Sequence, residues 1–561
     1  MFPRSALSLA PAMLAFTGFA VASSRADEAV VSQGGMVVSV SNEASEAGLR
    51  MLRAGGSAVD AAVATAAALA VTFPEAGNLG GGGFMLVLFD TAKPPLCVDY
   101  RETAPAAATT DMFAADTRQH GHRVVGTPGT VAGLALAHER FGRLPWRDLL
   151  QPAIRLADEG FTLNAYLAES LNRLVGSSQE YEELKRVYGR ADGRAWREGD
   201  LLVQADLART LRTIAETGPR DFYEGAIARQ IVAEMEAGGG LVTAGDLAVY
   251  RPKTRPALHG RFRGYDVYGP PPVSSGGTVL IEMLNVLENF DLSADERWSP
   301  VTAHLLAETM KRVYRDRAMH LGDPDFVEIP SHLTTKEHAR ELAASIDREH
   351  ATPSETLAPH IELADEGAST THFSVVDADG MAVANTYTLQ DSYGSRVVVR
   401  GAGFLLNNEM TDFNWRPGHT DRSGVIGTPA NTIAPKKRML SSQSPTIVTR
   451  DGRLVLVTGS PGGRTIPNTV LNVVLNVLVF DMDIRQAVDA PRMHHQWLPD
   501  RIQLERAAAE ENPGLVEALE GMGHIVSLVE HQGDAHSIQV IDGARHGAAD
   551  HRRMRGKAAA E

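Results

Sequence analysis

The 561-residue sequence predicts a mixed α/β fold of the α+β type, in which helical and strand-rich regions are largely separate. Helical periodicity with a few short strands runs to about residue 348, whereas strands and tight turns follow residue 370. The length also exceeds what one small hydrophobic core supports. We therefore expect two or more cores, or one large core built in layers.

The first 26 residues predict a secretory signal peptide. Arg4 precedes an apolar run from Ala6 to Ala22, and small residues follow up to Ala26. The run is broken by Pro11 and is shorter than the roughly 20 residues that span a bilayer. We expect cleavage after Ala26 and a periplasmic or secreted protein, with an uncleaved membrane anchor as the alternative.

The region before residue 348 contains several segments with the periodicity of amphipathic helices. Ala58–Phe73 is more apolar and is preceded by Ser57, with Asp60 three residues later, which predicts a buried helix with a capping box. Phe84–Phe89 is an uninterrupted apolar run, as in a strand buried on both faces. The lone cysteine, Cys97, is expected to be a buried apolar residue. The amphipathic segments are Val131–Phe141, Trp146–Ala157, Gln204–Thr217, Ala226–Gly238, Val301–Leu321 and Thr335–Arg348.

Two β-hairpins are predicted after residue 370. With a three-residue loop in the first hairpin, Thr370 lies opposite Thr388, and loops of two or four residues move that partner by one position. The sequence therefore predicts that these two threonines are neighbours. The hairpin segments are Thr371–Val376 and Met381–Leu389 around Asp379-Gly380, then Thr446–Val448 and Arg453–Thr458 around Asp451-Gly452.

The overall composition is that of a globular protein, with 43% apolar and 22% charged residues. A net charge of -15 provides no basic surface for a phosphate backbone, so nucleic acid is not an expected partner. The one basic stretch, His551–Lys557, is predicted to be a solvated, frayed tail.

Thr370 lies where an aperiodic loop meets the first strand of the first hairpin. A hydroxyl becomes a good nucleophile when a base removes its proton, and a free α-amino group on the same residue can be that base. Such an amine has an ordinary pKa of about 7.7–8.0. Self-cleavage after Ser369 would create it, although a threonine at a strand start by itself more often reflects β-propensity.

The segment Thr370–Asp377 resembles the processing-site motif of the γ-glutamyltranspeptidases, which are N-terminal-nucleophile hydrolases. This resemblance implies a four-layer αββα sandwich and self-cleavage between Ser369 and Thr370. It also implies a large subunit, 27–369, and a small catalytic subunit, 370–561, that remain associated as a heterodimer. Further motifs of the family follow in order along nearly the whole mature chain: Pro74–Phe84, Asp99–Glu102, Gly126–Thr130, Leu405–Phe413, Leu440–Pro445, Gly459–Gly463 and Pro491–Trp497.

The resemblance implies a binding site for an amino acid's α-carboxylate and α-ammonium groups. Arg101 would bind the carboxylate, because its guanidinium group can form two parallel hydrogen bonds. Ser441 and Ser442 would add hydroxyl donors to the same group. Glu409 and Asp412 would hold the ammonium.

The resemblance also implies the catalytic residues. Thr370 would be the nucleophile, and Thr388 would form a hydrogen bond with it. The backbone N–H groups of Gly462 and Gly463 would form the oxyanion hole, since glycine lets the backbone approach the developing negative charge.

Two positions depart from the family pattern. Gln390 replaces an asparagine that helps to bind the donor's amino group, so the same amide is offered by a longer side chain. Ser423 falls where some bacterial members have a tyrosine in a lid loop, and a lid without it should exclude water less well. Both changes favour hydrolysis over transpeptidation. His494 and His495 should point to opposite faces of an extended segment, so we expect no catalytic metal and no cofactor.

Three functions are compatible with these residues. The first is a γ-glutamyltransferase and glutathione hydrolase, which passes the acyl group from Thr370 to water, an amino acid or a peptide. The second is a cephalosporin acylase-like hydrolase of glutaryl groups, which Glu409 and Asp412 disfavour because that acyl group has no ammonium. The third is an exported binding protein without activity.

Overall fold

The computed structural model describes residues 28–114, 118–292, 296–357, 370–422, 425–554 and 556–561. The proposed signal peptide (1–26), Ser369 and Ser423 lie outside these residues. Among the described residues, no helix combines the length and the apolar character needed to cross a membrane.

The strands come from both the N-terminal and the C-terminal parts of the chain. In chain order they are β1 (Val30–Ser32), β2 (Met36–Ser39), β3 (Gly82–Leu88), β4 (Leu96–Asp99), β5 (Phe161–Thr162), β6 (Leu201–Leu202), β7 (Lys253–Pro256), β8 (Leu258–Phe262), β9 (Tyr265–Gly269), β10 (Thr371–Val376), β11 (Ala382–Thr388), β12 (Thr446–Arg450), β13 (Arg453–Thr458), β14 (Met493–His494), β15 (Ile502–Glu505), β16 (Val526–Val529), β17 (His536–Ile541), β18 (Ala544–Ala549) and β19 (Lys557–Ala560).

The helices come mostly from the region before residue 348. In chain order they are α1 (Asn42–Arg53), α2 (Ala58–Thr72), α3 (Thr130–Phe141), α4 (Trp146–Glu159), α5 (Ala165–Gly176), α6 (Glu182–Tyr188), α7 (Ala205–Thr217), α8 (Arg220–Glu224), α9 (Ala226–Gly238), α10 (Ala244–Val249), α11 (Gly276–Leu287), α12 (Pro300–His320), α13 (Lys336–Ala344), α14 (Ser354–Leu357), α15 (Ile466–Leu478), α16 (Ile484–Asp489), α17 (Arg506–Glu511) and α18 (Leu515–Gly521).

Two antiparallel seven-stranded sheets form the centre of the molecule. Sheet 1 has the order β1-β18-β17-β13-β12-β9-β8, and sheet 2 has the order β19-β2-β10-β11-β3-β4-β7. The apolar layer between the sheets includes Met36, Phe84, Leu86, Ile447, Val457 and Ile538.

Helices cover the outer face of each sheet. Helices α1, α2 and α3 contact strands of sheet 2, and α4 packs on α2, so that this layer covers strand residues such as Val37 and Met85. Helices α11 and α16 contact strands of sheet 1, and α12 and α15 pack on α11, in the same apolar cluster as Val448 and Leu456. Because strand side chains alternate between faces, each central strand is apolar on both sides. The arrangement is a four-layer αββα sandwich, as expected.

Most of the predicted helices and strands form within one or two residues of their expected bounds. The capping box before α2 is present, because Ser57 N–H donates to Asp60 and Asp60 N–H donates to the Ser57 hydroxyl. Helix α13 is shorter than predicted and ends at Ala344. There the Ser345 carbonyl and hydroxyl accept hydrogen bonds from the Arg312 guanidinium, at 2.7 and 2.8 Å.

The prediction of a frayed C-terminal tail is wrong. Arg552 is bonded to Glu505 at 2.9 Å and to Asp550 at 3.1 Å. Beyond it, β19 pairs with β2 at the edge of sheet 2. Arg552 therefore neutralises buried carboxylates, and the strand that follows it is part of the sandwich.

Candidate active site

Thr370 lies immediately before β10, at the end of the first hairpin opposite its turn. The register pairs Thr371 with Tyr387 and continues without interruption to the turn, where Asp377 N–H donates to the Met381 carbonyl. This register brings Thr370 opposite Thr388, and the Thr370 hydroxyl donates to the Thr388 hydroxyl at 3.3 Å. The contact predicted from the sequence is confirmed.

A cavity of about 240 Å³ opens beside this pair. Glu409 is fully buried behind the wall, where it contacts Arg101 at 2.6 Å. The other residues predicted to bind substrate or to act in catalysis share the cavity wall, although they come from distant parts of the chain: Arg101, Thr370, Thr388, Gln390, Asp412, Ser441, Ser442, Gly462 and Gly463.

Arg101 is the centre of a buried charge cluster. Its guanidinium lies 2.6 Å from the Glu409 carboxylate and 3.6 Å from Glu102, and it also pairs with Asp412. Its Nε donates to the Met439 carbonyl at 3.2 Å. Three carboxyl groups thus surround one guanidinium, so the cluster would carry an excess of negative charge if all three were ionised.

The pKa values of the cluster show that its carboxyl groups resist ionisation. Burial raises the pKa of Glu102 from its ordinary 4.5 to about 8, although Arg101 acts in the opposite direction. Burial, with repulsion from Glu102 and Asp412, raises the pKa of Glu409 well above its ordinary value. Burial acts to lower the pKa of Arg101, but the three carboxylates outweigh it and the guanidinium stays charged. A cationic group entering the cavity would relieve this imbalance.

Gln390 links the nucleophile region to the charge cluster. Its backbone has a positive φ of 83°, so the chain turns sharply after β11. Its backbone N–H donates to the Thr388 hydroxyl at 2.9 Å, and its side-chain amide donates to Asp412 at 2.6 Å. The longer side chain therefore still reaches the predicted ammonium-binding carboxylate.

Ser441 and Ser442 are held in place by residues outside the predicted set. The Ser441 carbonyl accepts hydrogen bonds from the backbone N–H and the hydroxyl of Ser275, each at 2.7 Å. The Ser442 hydroxyl accepts a hydrogen bond from Arg317 at 2.8 Å. Ser441 is thus held by the residue before α11 and Ser442 by Arg317 of α12, which also donates to the Ser275 hydroxyl at 2.9 Å.

Gly462 and Gly463 have φ values of 131° and 56°, which favour glycine. A Cβ on Gly462 would lie 2.4 Å from the Thr465 hydroxyl, so a side chain is sterically excluded as well. The two glycines lead through a single 3-10 turn into α15, whose first residue, Ile466, also lines the cavity. The positive end of a helix dipole therefore faces the cavity.

Comparisons with known proteins identify the family. The family model described as gamma-glutamyltranspeptidase matches residues 44–560. The chain belongs to this family. The glutathione hydrolase proenzyme of Escherichia coli (strain K12) is 46% identical and aligns with 92% of this chain and 90% of its own length. The glutathione hydrolase proenzyme of Pseudomonas aeruginosa is 43% identical, over 95% of this chain and 96% of its own.

Solved structures agree with this assignment. The crystal structure of cephalosporin acylase from Bacillus halodurans has a TM-score of 0.85 and 27% identity, and the match covers 98% of this chain and 99% of that one. The N-terminal-nucleophile hydrolase fold is therefore confirmed. Because identity to glutathione hydrolases is much higher than to this acylase, the γ-glutamyltranspeptidase reading is preferred over the glutaryl acylase and over an inactive binding protein.

Several cavity residues of this γ-glutamyltranspeptidase family member were not foreseen from its sequence. They come from segments without an obvious polar signature, such as the interior of a long helix or the turn after the glycine pair. His494 and His495, by contrast, bond separate partners, Asn468 at 2.6 Å and Asp500 at 3.2 Å. The additional polar residues at the wall are Arg317, Asn414, Asn431, Gln443, Arg464, Gln496, Arg501 and Gln503.

Proposed function

We propose that this chain is a self-processing γ-glutamyl amide hydrolase and transferase that acts on glutathione or related compounds. The observation that carries the proposal is the position of Thr370 on the wall of a cavity that Arg101 also lines. The Arg101 guanidinium is paired with the Asp412 and Glu409 carboxylates. The signal peptide would be removed after Ala26 on the way to the periplasm or the medium. Cleavage after Ser369 would then release the α-amine of Thr370.

The two products, 27–369 and 370–561, would remain associated. In sheet 2, β2 and β3 of the first fragment flank the β10–β11 hairpin of the second, and β19 pairs with β2. In sheet 1, β9 pairs with β12 and β1 pairs with β18. Separation would break strand pairs in both sheets and expose the layer between them, so a heterodimer is the expected product.

Substrate binding would use the charge cluster directly. A γ-glutamyl donor carries an α-carboxylate and an α-ammonium on the same carbon atom. The carboxylate can take one edge of the Arg101 guanidinium, while the ammonium takes the place of the guanidinium at Asp412. Glu409 lies 2.6 Å from Arg101 and would keep either cation neutralised. Ser441 and Ser442 would donate to the carboxylate, and the Gln390 amide would keep Asp412 oriented.

The chemical step would take place at the opposite end of the donor. The α-amine of Thr370 accepts the hydroxyl proton, and the oxygen attacks the γ-carbonyl carbon. The N–H groups of Gly462 and Gly463, at the positive end of α15, stabilise the tetrahedral oxyanion. The ammonium formed on Thr370 returns the proton to the leaving amine. Water, or an acceptor amine, then attacks the acyl-enzyme by the same sequence of proton transfers.

The proposal is tested by comparing γ-glutamyl-p-nitroanilide with glutaryl-p-nitroanilide, which differ only in the α-ammonium group. The glutaryl compound has no ammonium group to pair with Asp412 and Glu409. We therefore expect kcat/KM to be at least about 100-fold higher for the γ-glutamyl compound. The Asp412→Ala variant should reduce this ratio. Equal rates would support an acylase, and absence of product from either compound would support a binding protein.

A further inference from the structure

Three helices outside the catalytic cavity bring together a second group of ionisable side chains. Glu282 comes from α11, Asp316 from α12 and His338 from α13. One donor atom from each lies within 4.8 Å of the other two. His338 Nε2 is 2.8 Å from the Asp316 carboxylate and 3.4 Å from the Glu282 carboxylate.

The two carboxylates are buried in an environment that does not fully compensate them. Glu282 is 1% exposed, and its Oε1 atom has no hydrogen-bond partner within the described part of the chain. Asp316 is 2% exposed and pairs through its other oxygen with Arg315. A buried, unpartnered carboxylate oxygen is costly, and here it points at another carboxylate and an imidazole. Burial, with repulsion from Asp316, raises the pKa of Glu282 well above its ordinary value.

We propose that Glu282, Asp316 and His338 form a binding site for a divalent transition metal ion, with Zn²⁺ as the best-fitting ion. An imidazole nitrogen and two carboxylates are ligands that Zn²⁺ accepts, and ligand distances of about 2.0–2.2 Å place tetrahedral donors about 3.4 Å apart. The observed separations of 2.8 and 3.4 Å need only a small opening. Ca²⁺ fits less well because it takes six to eight oxygen ligands.

Access to this site is possible from the surface. His338 is 14% exposed, and its ring packs edge-on against His332 with 4.9 Å between the ring centroids. His332 is exposed. The protein would supply three ligands, and water would complete the coordination.

An ion at this site would fix the position of α12 relative to α11 and α13. The next residue after Asp316 is Arg317, which donates to the Ser442 hydroxyl in the cavity. The three ligands themselves do not line that cavity. The ion would therefore stabilise three packed helices, and its binding can be measured whether or not the proposed γ-glutamyl chemistry is correct.

Zinc binding is tested on the full-length purified protein after dialysis against EDTA. We expect isothermal titration with ZnCl₂ to show one equivalent per chain, with release of protons because metal ligands bind in their deprotonated forms. Zn²⁺ should also raise Tm, since it binds the folded form. Co²⁺ in place of Zn²⁺ should give a visible absorption spectrum typical of nitrogen and oxygen ligands.

Two variants and a matched control decide the assignment. His338→Ala and Glu282→Gln should each weaken Zn²⁺ binding by at least about tenfold and remove the Tm increase. His259→Ala removes a similar imidazole from an exposed pair with Asp266, 2.8 Å apart, and should leave both unchanged. Wild-type protein that binds no zinc, or His338→Ala protein that binds it equally well, would overturn the proposal. The three side chains would then be a proton-sharing cluster only.

Discussion

The two hairpins of the C-terminal region are similar in sequence but differ in what their threonines do. Each has an Asp-Gly turn and a pair of threonines facing each other at the end opposite the turn, Thr370 with Thr388 and Thr446 with Thr458. In the second hairpin, the Thr446 hydroxyl donates to the Ser444 carbonyl at 3.0 Å. The Thr458 hydroxyl bonds the Ser537 hydroxyl at 2.7 Å. These bonds serve the fold.

The first hairpin differs because its threonine pair lies at the wall of the cavity. The Thr370 hydroxyl bonds the other threonine of the pair at 3.3 Å, a long contact for two hydroxyl groups. The same residue types at equivalent positions of two hairpins therefore support the fold in one and line a cavity in the other. What distinguishes the first threonine pair is the cavity beside it, which the charged side chains of Arg101 and Asp412 also line.

The largest expected difference is between Thr370→Ala and Thr446→Ala. Loss of Thr370 removes the nucleophile, so the chain should remain uncut and activity should fall by about 10⁴-fold or more. Loss of Thr446 removes one neutral buried hydrogen bond, worth about 1 kcal/mol of stability. Gel electrophoresis measures processing, p-nitroaniline release measures activity, and thermal unfolding measures the loss of stability. Processing that continues in Thr370→Ala would remove the distinction between the hairpins.

The next largest effect should come from substitutions in the charge cluster around Arg101, which lies at the same cavity as the first hairpin. Arg101→Lys keeps the charge but loses the planar fork, so we expect kcat/KM for γ-glutamyl-p-nitroanilide to fall about 100-fold. Arg492→Lys is the matched control, because Arg492 pairs at 2.7 Å with buried Asp550 and neither residue lines the cavity. Equal losses of kcat/KM in the two variants would mean that Arg101 only supports the fold.

A smaller effect is expected from the second threonine of each pair. Thr388→Val keeps the shape and removes the hydroxyl that accepts from Thr370, which should lower kcat about tenfold with little change in KM. Thr458→Val should leave kcat unchanged and lower stability by about 1 kcal/mol. Steady-state kinetics and thermal unfolding separate the two outcomes. A Thr388→Val enzyme with wild-type kcat would show that this hydroxyl does not orient the nucleophile.

The smallest expected effect is a change in the pH dependence of stability. The pKa of Glu102 rises from 4.5 to about 8 on folding, so between these pH values the folded chain binds a proton that the unfolded chain has lost. Stability from this group therefore declines as the pH rises from about 4.5 to about 8. Glu102→Gln should give a shallower decline of Tm between pH 5 and pH 8.

The control for this experiment is Glu337→Gln, since the Glu337 side chain is 73% exposed. Its Tm profile should match that of the wild type. An identical slope in Glu102→Gln would show that Glu102 is ionised in the folded protein at neutral pH. The charge cluster would then include an ionised Glu102 carboxylate at neutral pH, in spite of its burial.

Much of the fold was predictable from local patterns. An uninterrupted apolar run located β3, and an apolar run with a capping box located α2. Period-3.6 spacing located α9, and an Asp-Gly turn marked the hairpin that contains β10. Hairpin geometry alone located the contact between Thr370 and Thr388. The proposed catalytic role of Thr370 rests on the family resemblance, since threonines at strand starts are common.

Features that depend on distant contacts were not predictable. Arg317 lies inside α12, where nothing in the sequence distinguishes it from a solvated arginine, yet it bonds Ser442. Arg552 was expected in a frayed tail, but Glu505, which is 47 residues away in the sequence, lies beside it. Helix α13 ends early because of Arg312, which belongs to a neighbouring helix. In each case the decisive partner is far away in the sequence.

The central claim is that Thr370 becomes the N-terminal residue of a fragment and carries the acyl group. Mass spectrometry of the acid-quenched reaction with γ-glutamyl-p-nitroanilide tests both parts together. We predict a fragment 370–561 that gains the mass of one γ-glutamyl group, with the modification on Thr370. A fragment with a different first residue, or an acyl group on any other residue, would contradict the account.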